Sequence, residues 1–245
     1  MKQRVLLVGR DAQDLLHRIS TADVKKIAKS SQITALFLNP QGKILSSFEL
    51  KKVDESSAEI EFEAPFLEIL DQFTFSEKYQ INPLPIDPEN HSEKTETEVE
   101  RILAIKPKLG HEFFHDGKTN PLEVNLRNSI HDNKGCYPGQ EVIEKIISLG
   151  SPARNLCLIE THQNFKLLSN FSTPLPLYDS SVPSDSSSES SAVAELTSYA
   201  STKAQGIEMG IALAIVKRTH LKEGTSFTTR GQNPEIQFIL KKVSS

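Results

Sequence analysis

Lys134-Gly135-Cys136-Tyr137-Pro138-Gly139-Gln140-Glu141, with Lys145 one helical turn further on, brings a thiol, two glycines, an amide, carboxylates and cations together. The run is too polar for a core segment and too varied for a solvated face. Gly135 and Gly139 flank Cys136, Tyr137 and Pro138, which predicts a tight loop that presents the thiol. Gln140 to Ile147 reads as the element leaving that loop, and Gln140 carries an amide able to satisfy loop backbone groups. If the element is helical, Glu141 and Lys145 stand at i,i+4 and can pair.

Outward from this loop, Val5-Leu6-Leu7-Val8 is a short apolar strand ended by Gly9. Asp11 can cap a helix to about Ser20, with Ala12, Leu15, Leu16 and Ile19 on one face. Ile33 to Leu38 is a second strand, turned by Asn39-Pro40-Gln41-Gly42 into Lys43 to Leu50, a hairpin. Ala58 to Phe62 alternates like a strand, and Pro65 to about Tyr79 reads as a helix. Residues 82–100 are polar and proline-punctuated, the texture of a surface connection. Past Asn155 the texture changes. Leu156 to Ile159, Gly210 to Val216 and Ile236 to Leu240 are spaced strands, and the Ser-rich stretch 179–191 between them reads as a mobile loop or linker.

Lys-Gly-Cys-Tyr-x-Gly-Gln-Glu-x-x-x-Lys resembles the defining motif of the YgfZ-type folate-binding proteins, relatives of the glycine cleavage T-protein that support iron–sulfur enzymes. The resemblance extends to the opening, where Phe37-Leu38-x-Pro40-x-Gly42-x-Ile44 follows a strand and a helix, and to Asn120-Pro121-Leu122-Glu123-Val124-Asn125-Leu126. It implies an α+β fold: a T-protein-like folate-binding α/β portion with antiparallel sheets over 1–154, and a small C-terminal β-barrel over 155–245. Four departures stand out. The middle segment at 82–100 is shortened. Where relatives read Arg-x-Glu-Ala-Gly, this chain has Leu103 for the Glu and Ile105 for the Gly. Leu149-Gly150 replaces Arg-Gly ahead of Arg154, and Ala22-Asp23 replaces Asn-Asp. The T-protein itself generally lacks Lys-Gly-Cys-Tyr and is longer.

Composition narrows the partners. Lys and Arg number 28 against 32 Asp and Glu, a net charge of −4, so no global basic field recruits nucleic acid or anionic membrane. No apolar run approaches the roughly 20 residues that span a bilayer, and Met1 to Gly9 is too short and too soon interrupted for a signal peptide. Two cysteines in unlike contexts, Cys136 and Cys157, indicate a reducing, cytoplasmic setting without a disulfide framework. Neither has a Cys or His at metal-ligand spacing, so no resident metal or iron–sulfur cluster is expected.

Two readings stand open for each candidate residue. Cys136 is a nucleophile or sulfur-handling thiol activated by Lys134 or Lys145, or a small buried residue. Glu123 is a carboxylate that takes the amidine-like edge of a pterin in a bidentate pair, as the resemblance implies, or an exposed strand residue. Tyr137 stacks on the pterin or covers the core. Lys134 and Arg154 bind an anion such as a folate glutamate tail, or lie on the surface. Gly135, Gly139, Gln140, Glu141 and Lys145 shape the loop. Cys157 reads as core, and Asp87, His91, His111 and His115 as surface residues without ligand spacing. The resemblance implies tetrahydrofolate or a derivative as cofactor, iron–sulfur client or assembly proteins as partners, and tRNA-modifying enzymes among those served. A folate-dependent aminomethyl or one-carbon transferase, and a relative that only docks a partner protein, are the alternatives.

Overall fold

Val5 and Leu7 turn inward from a strand whose other side chains are more exposed, and this period of two sets β1 (Gln3–Val8). The computed structural model describes residues 2–86, 96–162, 165–170, 172–182, 191–204, 206–230 and 234–244. It divides into two units, one of Met1–Glu93, Phe114–Pro121 and Leu126–Ser148, the other of Lys94–Phe113, Leu122–Asn125 and Leu149–Ser245.

In the first unit, helix α1 (Ala12–Ile19) buries Ala12, Leu15, Leu16 and Ile19, the face that its spacing predicts. Asp11 precedes it without capping it; its carboxylate instead accepts from the Lys78 N–H at 2.9 Å. Strands β2 (Gln32–Leu38) and β3 (Ile44–Lys52) form the expected hairpin, and β4 (Ser57–Phe62) follows. Helix α2 (Phe66–Gln72) is shorter than the sequence suggested, because the chain turns at Phe73 and the Thr74 hydroxyl closes onto the Leu70 carbonyl at 2.8 Å. β5 (Gln80–Pro83) then pairs with β1, so Asn82 and Pro83 end a strand rather than begin a connection. The sheet order is β2-β3-β4-β1-β5, with every pair antiparallel. Phe37, Phe48, Phe62 and Phe66 meet over it with ring centroids 4.6–5.1 Å apart. Each such burial is worth about 1.5–3 kcal/mol.

In the second unit, α3 (Glu98–Leu103) opens on a capping box between Thr97 and Glu100. Helix α4 (Gln140–Ser148) belongs to the first unit and leaves the cysteine loop as its sequence suggested. The second unit continues with β6 (Arg154–Thr161), β7 (Leu175–Asp179), β8 (Ala194–Ala204), β9 (Ile207–Lys217), β10 (Ser226–Thr228) and β11 (Gln237–Val243). These run in the order β10-β11-β6-β9-β8-β7, and β10 pairs with β7 through Phe227 and Thr228, which closes the ring. Cys157, Ile159, Leu177, Ala212, Ala214, Phe227 and Phe238 fill its interior. The Ser-rich reading falls largely on 183–190, outside the described residues, as do Asp87 and His91.

Candidate functional site

The loop before α4 is built by left-handed backbone. Asn133, Gly135 and Gly139 have φ of +55°, +98° and +81°. At Gly139 a Cβ would stand 2.5 Å from the Asn39 carbonyl oxygen and 2.9 Å from the Gly42 Cα. The loop thus lies directly on the β2–β3 turn, and only glycine permits that approach. Asn39 holds the turn from inside: its carboxamide oxygen accepts from the Gln41 and Lys43 N–H groups at 3.0 and 2.9 Å. Gln140 Oε1 accepts from the Tyr137 N–H at 3.3 Å, and Gln140 Nε2 donates to Glu144 at 2.6 Å. The i,i+4 contact on α4 is therefore Gln140–Glu144. Among the described residues Glu141 and Lys145, both exposed, make no ion pair with each other.

Cys136 is exposed, so its thiol is presented as the loop predicted. Lys134 is not a surface residue. It is 5 % exposed, and its ammonium donates to the His17 carbonyl at 2.5 Å and lies 4.9 Å from the Tyr137 ring centre. Desolvation pulls its pKa down to about 8, against the opposing pull of Asp23 and Cys136. Tyr137 is nearly buried, and burial pushes its phenol up to about 12. The histidine that the fold brings to this loop is His17, on α1. Its Nδ1 lies 3.5 Å from Asp23, and its Nε2 would stand 3.9 Å from a Cβ on Gly135. Burial first, then Lys134, hold its pKa below the ordinary value. Asp23, 4 % exposed, pairs with Lys26 at 3.0 Å. An amine whose pKa is lowered to about 8 thus lies two residues from an accessible thiol, on a loop whose Gly135 faces an imidazole.

Glu123 sits on the 3₁₀ turn Pro121–Val124, not on a strand, and is 6 % exposed. Arg154, the first residue of β6, donates from Nη2 to Glu123 Oε2 at 3.1 Å, and its Nη1 lies 3.9 Å from Glu195 Oε2 on β8. Two of the expected binding residues are thus joined directly.

Sequence reasoning missed Glu112. Its side chain is fully buried and accepts from Arg101 Nη1 (2.9 Å), the Lys108 N–H (2.9 Å), the Thr197 hydroxyl (2.8 Å) and the Ser198 hydroxyl (2.5 Å). A lone Glu between His111 and Phe113 gives no local signal of burial; only the arginine eleven residues earlier hints at a partner. His115, read as a surface residue, is half-buried, with its ring nitrogens 2.9 Å from the Ser47 amide nitrogen and the Ala64 carbonyl oxygen. Among the described residues no group of three or more His, Cys, Asp or Glu could hold a metal ion, and no helix is long and apolar enough to cross a membrane.

The fold is similar to that of a glycine cleavage aminomethyltransferase. The solved structure of glycine cleavage system aminomethyltransferase T from Bartonella henselae matches 98 % of this chain and 83 % of its own at a TM-score of 0.70 and 14 % identity. At that identity the likeness speaks for the fold. No family model and no curated protein matches the chain.

Proposed function

We propose that the chain is a folate-binding accessory protein of the YgfZ type that supports iron–sulfur cluster assembly or repair, with tRNA-modifying enzymes among its clients and the cytoplasm as its setting. The observation that carries the reading is Glu123, a carboxylate 6 % exposed on a short turn within a T-protein-like fold. Such a group accepts two parallel N–H donors, the pattern on the pterin's ring nitrogen and exocyclic amine. Lys-Gly-Cys-Tyr supports the accessory role over plain group transfer, and Cys136, exposed two residues from the buried Lys134, is the group offered to sulfur or cluster chemistry.

Tetrahydrofolate is the cofactor in this reading: Glu123 fixes its orientation and the protein holds no cluster of its own. The test is equilibrium binding of tetrahydrofolate to wild type and to Glu123→Gln. Saturable binding by wild type, weakened on the order of tenfold or more in the variant, is expected from the loss of a charged acceptor. Wild type without saturable binding overturns the reading. The transferase alternative draws on the fold neighbour; release of an aminomethyl group to tetrahydrofolate at catalytic turnover would decide for it.

A further inference from the structure

Arg154 lies between two carboxylates that differ sharply in burial. Glu123 is 8 % exposed at its side chain and hydrogen-bonded at 3.1 Å; Glu195 is 50 % exposed and stands at 3.9 Å, within ion-pair reach but beyond a hydrogen bond. The strand register explains how one guanidinium reaches toward both. Arg154 lies opposite Lys217 on β9, and Glu195 lies opposite Ile215 on the other side of the same strand. Lys217 and Ile215 are two apart, so Arg154 and Glu195 occupy the same face of the sheet.

A guanidinium presents two N–H donors across one carbon. That is also the edge a pterin offers, a ring N–H beside an exocyclic amine. We propose that Arg154 is a built-in stand-in for the ligand: in the free protein it donates one N–H to Glu123, and on binding it yields that carboxylate to the pterin edge and passes to Glu195. The inference rests on the folate reading and adds Glu195 to it as a positioning residue. A buried carboxylate cannot be left without donors at small cost, so Arg154 leaves only for a ligand that brings a matching pair. Glu195 lowers the cost of leaving, because the displaced guanidinium moves to a second acid rather than to none. The site therefore favours the two-donor edge and disfavours pteridines that carry an oxo group in place of the amine.

The experiment titrates a tail-free tetrahydropterin into wild type, Glu195→Gln, Glu195→Asp, Arg154→Met and the Glu195→Gln/Arg154→Met double variant, with thermal midpoints as the folding control. The tail-free probe removes any contact between Arg154 and a glutamate carboxylate. Glu195→Gln is expected to weaken binding about three- to fivefold, the scale of an exposed ion pair. Glu195→Asp recovers at least half of that loss. In the Arg154→Met background Glu195→Gln has no effect, which a merely structural role for Glu195 would not produce. Should Arg154→Met fail to fold, the Gln and Asp variants decide by themselves. Unchanged affinity in Glu195→Gln, or the same loss with Arg154 absent, overturns the handover. If tetrahydrofolate binds wild type and is weakened in Glu123→Gln as above, while the tail-free probe binds Glu195→Gln as it binds wild type, the handover falls and the folate reading stands. Wild type that binds neither the tail-free probe nor tetrahydrofolate ends both, and wild type that binds only tetrahydrofolate overturns the handover alone.

Discussion

At Gly139 the backbone turns at φ +81°, with the Asn39 carbonyl where a side chain would begin. The obstacle is backbone, so no rotamer change relieves it. Gly139→Ala should cost about 2–3 kcal/mol from left-handed strain and the collision together, read as a fall in the urea midpoint; a loss under about 0.5 kcal/mol would mean the loop simply lifts off the turn. This loop was legible in the sequence because glycine punctuation is local chemistry: the residues that make the turn are the ones that need it. Lys134 was not. Its ammonium meets a carbonyl 117 residues away, and nothing in Lys-Gly-Cys says which surface will cover it. His17 and Asp23 were hidden for the same reason, since a helix residue and a turn residue become a pair only once α1 is docked. Glu123 was singled out as an acceptor, but its partner Arg154, which lies 31 residues on, emerged from the packing.

Helix α3 shows an element fixed by contacts remote in sequence. Its C-terminus carries a Schellman pattern, with Lys106 N–H on the Arg101 carbonyl and Ile105 N–H on the Ile102 carbonyl, both at 3.0 Å. The left-handed position of that pattern is Ile105, at φ +52° and buried. A β-branched residue there costs about 1–2 kcal/mol, and Asn125 helps to hold it by donating to the Ile105 carbonyl at 2.8 Å. The glycine that the motif resemblance led one to expect at this position thus has a backbone reason, which this chain overrides with packing. Glu112 ties the helix to β8 through Arg101, Thr197 and Ser198. Glu112→Gln removes the charge that compensates a guanidinium side chain only 7 % exposed and should cost about 3 kcal/mol. Arg101 keeps Glu98 as a partner at 2.6 Å, which is why the value falls at the low end. A urea midpoint change worth less than about 1 kcal/mol would show that the Glu98 pair suffices. In the second unit the strands readable in advance, β6, β9 and β11, are those with apolar runs. β8 escaped notice because Ser198, Ser201, Thr197 and Thr202 blur its alternation, and three-residue β10 is too short to show a period.

The alkaline stability of the molecule follows from three buried groups acting in different windows. Lys134 ionises at about 8 when folded and 10.5 when unfolded, so between these values the unfolded chain holds the extra proton and stability rises with pH. Cys157, its thiol pushed by burial from 9.0 up to about 12, does the reverse: above pH 9 the unfolded chain loses a proton that the folded one keeps, and stability falls. Tyr137, raised from 10.0 to about 12, adds a second fall that begins one unit higher. Lys2 and Lys241, both raised by glutamate partners, contribute to the loss only above 10.5. Of these groups, Lys134 alone acts between 8 and 9, so the urea midpoint should climb there, level off from about pH 9, where Cys157 offsets Lys134, and fall above about pH 10, where Tyr137 joins. Cys157→Ala should extend the climb to about pH 10, where Tyr137 begins to offset Lys134, with the fall delayed to above about 10.5, and Lys134→Met should erase the climb while raising stability near neutrality. A wild-type midpoint that falls steadily from about pH 7 upward would mean that the Lys134 ammonium is not desolvated in the folded protein, and with it would go the lowered amine two residues from Cys136.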